Sequence, residues 1–296
     1  MAAEEYPPNS YPKTGLLLVG MGMGRMEGMT QEAIHAASHA DHRRYEAYTA
    51  LWPENELARL ENAIGSIQRV MRPEVEDPET LFALAKESLV ALLVVGDPLQ
   101  ATTHVDLQLR AKELDVECRV YHGVSITSVV TGAVGLSNYK FGRQTTLTYP
   151  YGNWIATSPL EVLASNWEQN LHTLALLDLD PTGSGTGEQR PMRPEDAVQA
   201  MRLMWEKAKG TTEGSDEDGA PLASFRQKAT EKYLQQTFED IDVVLCSDMG
   251  TLEQSMVATS LGALSTETGG RLNCLIFPAS TGEVEEKAVL RWKRGA

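Results

Sequence analysis

Cysteine is scarce in this sequence, and its placing excludes two kinds of site. Only Cys118, Cys246 and Cys274 occur, odd in number and far apart, with no CxxC. Neither a disulfide framework nor a cysteine zinc site is therefore expected. Long apolar runs are missing too. No window approaches the ~18 to 20 continuous apolar residues of a membrane span, so no membrane role is expected. Basic charge is also short: 26 Lys and Arg stand against 41 Asp and Glu, a net charge of -15. Adsorption to phosphate backbones depends on clustered Lys and Arg, so direct binding to nucleic acid is not expected. A cationic substrate suits such a chain, and so does plain solubility. The opening MAAEEYPPNSYPK is acidic and proline-rich, without the basic-then-apolar order of a secretory signal. Residues 1–13 are expected to be a tail outside the fold, and the reducing cytoplasm is the expected compartment.

What is present is enough hydrophobic residue, 42% of 296 positions, for one large domain or two of ordinary size. TGLLLVG (14–20) and ESLVALLVVG (87–96) are apolar throughout, as strands buried on both faces of a parallel sheet must be. QEAIHAASHA and HVDLQLRAKEL have helical composition, VECRVYH that of a strand, and a helix is expected after Ser125. Strand, turn and helix alternate to about residue 135, which predicts an α/β architecture. Further on, GRQTTLTYPYGNW (142–154) reads as an exposed strand and a turn. TSPLEVLASNWEQN reads as a helix with Ser158 as cap, Pro159 in the first turn and Glu161 reaching back. HTLALLDLD, IDVVLCSDMG and LNCLIFPAS read as strands. Segments 181–191 and 210–221 are linker-like and flank the helix PEDAVQAMRLMWEKAK.

Gly20-Met21-Gly22-Met23-Gly24 follows the first strand. It fails the dinucleotide fingerprint in both registers, because Arg25 or Glu27 falls where the last glycine belongs. Nor is it a P-loop. The glycines let backbone approach a ligand or a neighbouring helix. His35, His39 and His42 fall at i, i+4 and i+7, one face of a helix if the helix reaches that far. With no recognisable fourth ligand, no metal is assigned. GDPLQATTH (96–104) puts Asp97 at the carboxyl end of a parallel strand, the edge where open α/β sheets bind ligands. Thr103 and Asp106 have the spacing of a helix cap.

LLLVGMGM, GDPLQATTH, HGVSI, YKFG, YPYGNW and TSPLEVLASNWEQNLHTLALLDLD occur in one order from about residue 14, and the likeness extends to about residue 280. Together they resemble the diphthine synthase family, a branch of the tetrapyrrole-methylase-like class of S-adenosylmethionine-dependent methyltransferases. Gly-Asp-Pro marks the wider class; YKFG, GNW and LHTLALLD narrow it. The resemblance implies a two-domain α/β fold, an N-terminal domain over 14–122 and a C-terminal one over 123–296, with the methyl donor in the cleft between domains. It carries the donor contacts onto Met23, Asp97, Gln100, Ser125, Ile126, Leu177, Met249 and Asn273. Gln100 stands where the family usually has a small apolar residue, and SDMGT and GGRLN depart from the usual wording around the last two.

The implied activity is methylation, from S-adenosylmethionine, of the amino group of a 3-amino-3-carboxypropyl-histidine on translation elongation factor 2. Trimethylated diphthine results, and the resemblance implies a homodimer. Methyl transfer to an amine needs alignment rather than a covalent catalyst, so no Ser-His-Asp set is required. His104 and His122 lie beside donor motifs, either as bases or as turn histidines, and no catalytic residue is assigned. Tyr139, Phe141, Tyr151 and Trp154 are either acceptor-side aromatics for a cationic product or core. The alternatives are a methyltransferase of the same class acting on a tetrapyrrole or ribosomal RNA, and a non-catalytic module that binds S-adenosylmethionine.

Overall fold

A computed structural model describes residues 11–152, 154–183, 189–211 and 221–294. The expected tail 1–13 and the linkers 181–191 and 210–221 lie partly outside the described residues. The chain forms two compact α/β units, one up to Ile126 and one from Thr127 onward.

The first unit holds a sheet of strands β1 (Gly15–Gly20), β2 (His42–Glu46), β3 (Gln68–Val70), β4 (Leu89–Val94) and β5 (Cys118–Tyr121). The order is β3-β2-β4-β1-β5, and every pairing is parallel. Alternation along the strands explains the continuous apolar runs. Leu17, Val19, Ala91 and Leu93 pack on one side with Ala33, Ala36 and Ala37 of helix Gln31–His39 and with Leu57, Leu60 and Ile64 of helix Glu54–Ile64. Leu16, Leu18, Val90 and Leu92 pack on the other with Leu81 and Phe82 of helix Glu79–Glu87 and with Leu107 and Ala111 of helix Val105–Glu113. Each fully buried leucine, isoleucine, valine or phenylalanine here is worth about 1.5–3 kcal/mol relative to exposure.

β2 is the strand whose letters, HRRYE, give least away. Arg43 turns back and donates to the carbonyls of Ala37 (2.8 Å), Ser38 (2.9 Å) and Ala40 (2.6 Å), closing the end of helix Gln31–His39. Helix and strand are separate here, so His35, His39 and His42 do not share a helical face: His42 opens β2.

The second unit holds β6 (Thr145–Leu147), β7 (Thr173–Leu177), β8 (Asp242–Ser247), β9 (Ser255–Ser260) and β10 (Asn273–Phe277), in the order β6-β7-β10-β8-β9. β6 runs parallel to β7; β10 is antiparallel to both its neighbours, and β8 to β9. Helices Ser158–Glu168 and Pro194–Thr211 cover one face, where Trp205 meets Tyr233 and Phe238 edge-on at 5.7 and 5.4 Å. The segment 142–154 is not simply exposed, since Leu147 and Tyr149 are core.

Two caps sit elsewhere than the sequence spacing predicts. Thr157, not Ser158, is the residue before helix Ser158–Glu168, and its hydroxyl donates to Glu161 Oε1 at 2.8 Å. His104, not Thr103, precedes helix Val105–Glu113, and Asp106 instead pairs with Arg110 at 2.6 Å.

Candidate active site

Parallel strands leave their following loops at one edge of the sheet, and in the first unit glycines draw three of these loops together. Gly22 and Gly96 exchange backbone hydrogen bonds of 3.1 and 2.8 Å. Gly96 has φ +78°, a conformation that side chains rarely adopt. A Cβ on Gly123 would collide with the Gly96 carbonyl oxygen and lie 2.9 Å from the carbonyl carbon of Gly20. The turns after β1, β4 and β5 are thus in backbone contact.

Asp97 locks this arrangement. Its carboxylate is 5% exposed. Oδ1 accepts from Leu99 N–H at 2.9 Å, and Oδ2 accepts from Gly123 N–H at 3.2 Å and from His122 Nδ1 at 2.8 Å. Ser125 is buried nearby, its Oγ 3.7 Å from where a Gly96 Cβ would stand. Ile126 begins the next helix, Ile126–Ala133. Met23 is half-buried in the glycine turn, and Gln100 is exposed in the turn after Pro98. The edge therefore brings Met23, Asp97, Gln100, Ser125 and Ile126 together.

Two further contacts hold the edge from behind, and neither has a sequence signal. Glu56 Oε2 accepts from Met26 N–H at 2.9 Å, and Arg59 bridges Glu56 at 2.8 Å and Glu27 at 2.6 Å, tying the glycine turn to helix Glu54–Ile64. The Arg59 hydrogen bond is the main reason that the Glu27 carboxyl is held down at about 2. Beneath the Gly-Asp-Pro turn, His104 is 1% exposed. Its Nδ1 donates to Pro98 O at 3.0 Å and its Nε2 faces Glu46 Oε2 at 2.7 Å. Burial alone would lower its pKa, but the Glu46 hydrogen bond and charge and the Pro98 carbonyl outweigh that and raise it. Both ring nitrogens are committed, so His104 is a structural residue.

The other three sequence candidates meet at one edge of the second sheet. Leu177 ends β7, Met249 lies just past β8, and Asn273 opens the antiparallel β10. Leu177 packs against the core and Met249 is buried. The Asn273 amide is committed to the turn. Its Oδ1 accepts from Ser247 Oγ and Gly270 N–H, both at 2.8 Å, and its Nδ2 donates to the carbonyls of Met192 and Gly270 at 3.3 and 3.2 Å. Asp248 holds the same turn, accepting from the N–H groups of Leu272 (2.9 Å) and Arg271 (3.0 Å).

The four aromatics split. Phe141 lies edge-on to the buried His172, at 5.3 Å. Tyr151 stacks on Trp154 at 6.2 Å. Tyr139 and Trp154 are 93% and 55% exposed, so core packing does not account for them. Among the described residues no three His, Cys, Asp or Glu side chains are grouped to hold a metal ion. No helix of the described residues is long and apolar enough to cross a membrane.

The model of the family described as Tetrapyrrole (Corrin/Porphyrin) Methylases matches residues 15–265. A diphthine synthase of Methanospirillum hungatei JF-1 is 29% identical over 275 residues, 92% of this chain and 95% of the relative. One of Methanoregula boonei is 34% identical over 194 residues, 65% of this chain and 75% of the relative. The crystal structure of a diphthine synthase superposes with a TM-score of 0.74 at 25% identity, covering 94% of this chain and 95% of that one.

Proposed function

The chain belongs to the tetrapyrrole (corrin/porphyrin) methylases, on their diphthine synthase branch, and from that premise we propose that its acceptor is an amine on translation elongation factor 2. It is a methyltransferase. The acceptor nitrogen is that of the 3-amino-3-carboxypropyl group on a modified histidine, and successive transfers give trimethylated diphthine. The methyl donor is S-adenosylmethionine, which supplies an electrophilic methyl group on a sulfonium.

The residues suit that donor. Gly20, Gly96 and Gly123 let the chain pack backbone against backbone at the carboxyl edge of the first sheet, which fixes the edge where ligands of open α/β sheets bind. Half-buried Met23 and Ile126 in the first unit, and half-buried Leu177 in the second, offer apolar surface to a purine or a thioether, and buried Met249 follows β8 at the same sheet edge as Leu177. Ser125 and Gln100 supply side-chain hydrogen-bonding groups. Asp97, with its oxygens already engaged, fixes the loops, and Asn273 does the same for its own turn. We therefore assign Met23, Asp97, Gln100, Ser125, Ile126, Leu177, Met249 and Asn273 to the donor site, Asp97 and Asn273 chiefly as positioning residues.

Direct displacement requires nucleophile, methyl carbon and leaving sulfur in line, so fixed loops supply most of the rate enhancement. Exposed Trp154 stacks on Tyr151 and holds the Lys207 ammonium 5.6 Å from its ring centroid, so a cationic product would meet that ring by displacing the lysine. The enzyme works as a homodimer in the cytoplasm, and sedimentation at micromolar concentration tests the assembly.

The observation that carries the reading is the three-glycine edge locked by Asp97, on a chain of this family. The test is mass spectrometry of the target peptide after incubation with S-adenosylmethionine and elongation factor 2 bearing the aminocarboxypropyl-histidine. Addition of three methyl groups is expected, and a fourth identifies carboxylate methylation as well. An unmodified peptide, with donor binding intact by calorimetry, means a different acceptor.

A further inference from the structure

We propose that His122 is the general base of the methyl transfer, oriented by Asp97; this rests on the amine-acceptor reading above. An aliphatic ammonium has no lone pair, so each methyl added to the acceptor requires the loss of one proton first. Trimethylation requires three such losses, and a base at the donor edge would take each proton where the methyl group is transferred.

The geometry at His122 meets that need. The residue follows β5 directly, next to Gly123, whose backbone abuts Gly20 and Gly96. Its Nδ1 lies 2.8 Å from Asp97 Oδ2, and its carbonyl accepts from Thr30 Oγ1 at 3.5 Å. An ionised carboxylate only accepts, so Nδ1 must carry the proton. In the neutral ring Nε2 then carries the free lone pair. The ring is 70% exposed while the Asp97 side chain is 7% exposed, so the base faces solvent and the orienting carboxylate is shielded. The arrangement follows the logic by which a buried carboxylate fixes the tautomer of a catalytic imidazole and stabilises the imidazolium that forms. His104 and His172 provide the contrast: both are buried, with both ring nitrogens engaged by protein.

The step balances. The ammonium N–H bond breaks, its proton joins His122 Nε2, and the electron pair stays on the acceptor nitrogen. That pair forms the new N–C bond as the S–C bond breaks, with the leaving pair on sulfur. The imidazolium, at the surface, returns its proton to water before the next transfer.

The experiment combines two variants with a spectroscopic readout. His122→Asn keeps a side-chain N–H for Asp97 and so keeps the turn, but has no base at the Nε2 position. His122→Ala opens space for an added imidazole. Both are expected to bind S-adenosylmethionine with unchanged affinity by calorimetry and to lose about 10²–10⁴-fold in kcat with little change in KM. Imidazole in solution restores part of the His122→Ala rate. In the unmodified protein, 15N correlation spectra show the ring protonated at Nδ1 and bare at Nε2. Unchanged kcat in His122→Asn, a lost rate that imidazole does not restore, or a proton on Nε2 in the neutral ring each overturns the assignment. Failure of the unmodified enzyme to methylate the acceptor overturns the substrate reading, and the base with it.

Discussion

Asp97 and Gly123 show how much of a site rests on single residues. The Asp97 carboxylate accepts from two backbone N–H groups and an imidazole, so the turns after β4 and β5 would both shift if it were lost. Gly123 has no room for even a methyl group, because the atoms it would meet are the backbone of Gly96 and Gly20 rather than flexible side-chain ends. Gly123→Ala is expected to cost about 1–3 kcal/mol by overpacking and to weaken donor binding, as read by denaturant unfolding and calorimetry. His104 belongs at this scale too. Its folded pKa is raised, so its pairing with Glu46 stabilises the fold fully below the unfolded value of 6.5 and less as pH climbs through the folded value. Urea unfolding of the native protein should therefore show a loss of stability on the alkaline side of 6.5. His104→Gln should flatten that limb at a lower overall stability. The sequence offers Asp97 and His104 as site candidates from their place in GDPLQATTH. It gives no sign that Glu46, more than fifty positions earlier, is the partner that makes His104 structural.

Among the elements, helix Glu283–Leu290 of the second unit is held by the opposite electrostatics. Burial would raise the Glu285 carboxyl, yet N–H groups of Ser137 and Gly282, with Lys140 and His172, bring it down to about 2. His172 is fully buried, accepts from Ala279 N–H at Nδ1 (2.9 Å) and faces Glu285 at Nε2 (3.3 Å). Burial dominates and lowers its pKa. Both groups have depressed folded values, so both contribute stability at neutral pH that is lost on acidification. His172 acts as pH falls below 6.5, and Glu285 between 4.5 and about 2. Hydrogen exchange should find this helix opening in acid, and Glu285→Gln should bring the same opening to neutral pH. Legibility at this scale follows burial pattern. β1 and β4 announce themselves because both faces are covered and every residue is apolar. β2, β3 and β9 escape notice because HRRYE, QRV and SMVATS are chosen by long-range partners or by an edge position, and neither leaves a period in the sequence.

For the whole molecule, charge is the property that composition alone supplies. A net -15 predicts that the protein will not bind a structured RNA at physiological salt. Fluorescence anisotropy should show no RNA complex at micromolar protein, and salt-sensitive binding would bring the ribosomal RNA alternative back. The α/β class, the glycine turn, Gly-Asp-Pro and the family wording are local in the chain, and the sequence by itself determined them. A strand buried on both faces and a turn that only glycine can make are constraints on neighbouring residues. Only the tertiary structure decided what those residues do to one another. It brought Gly20, at the end of β1, against Gly96 and Gly123 in the turns after β4 and β5, spent the Asp97 carboxylate on fixing Gly123 and His122, and left the His122 ring exposed. It also committed the Asn273 amide to its own turn and set Cys246 opposite Cys274 on adjacent strands, although they are far apart in the chain. Hydrogen bonds and steric exclusion act at a few ångströms, and sequence separation carries no information about which distant groups will come that close.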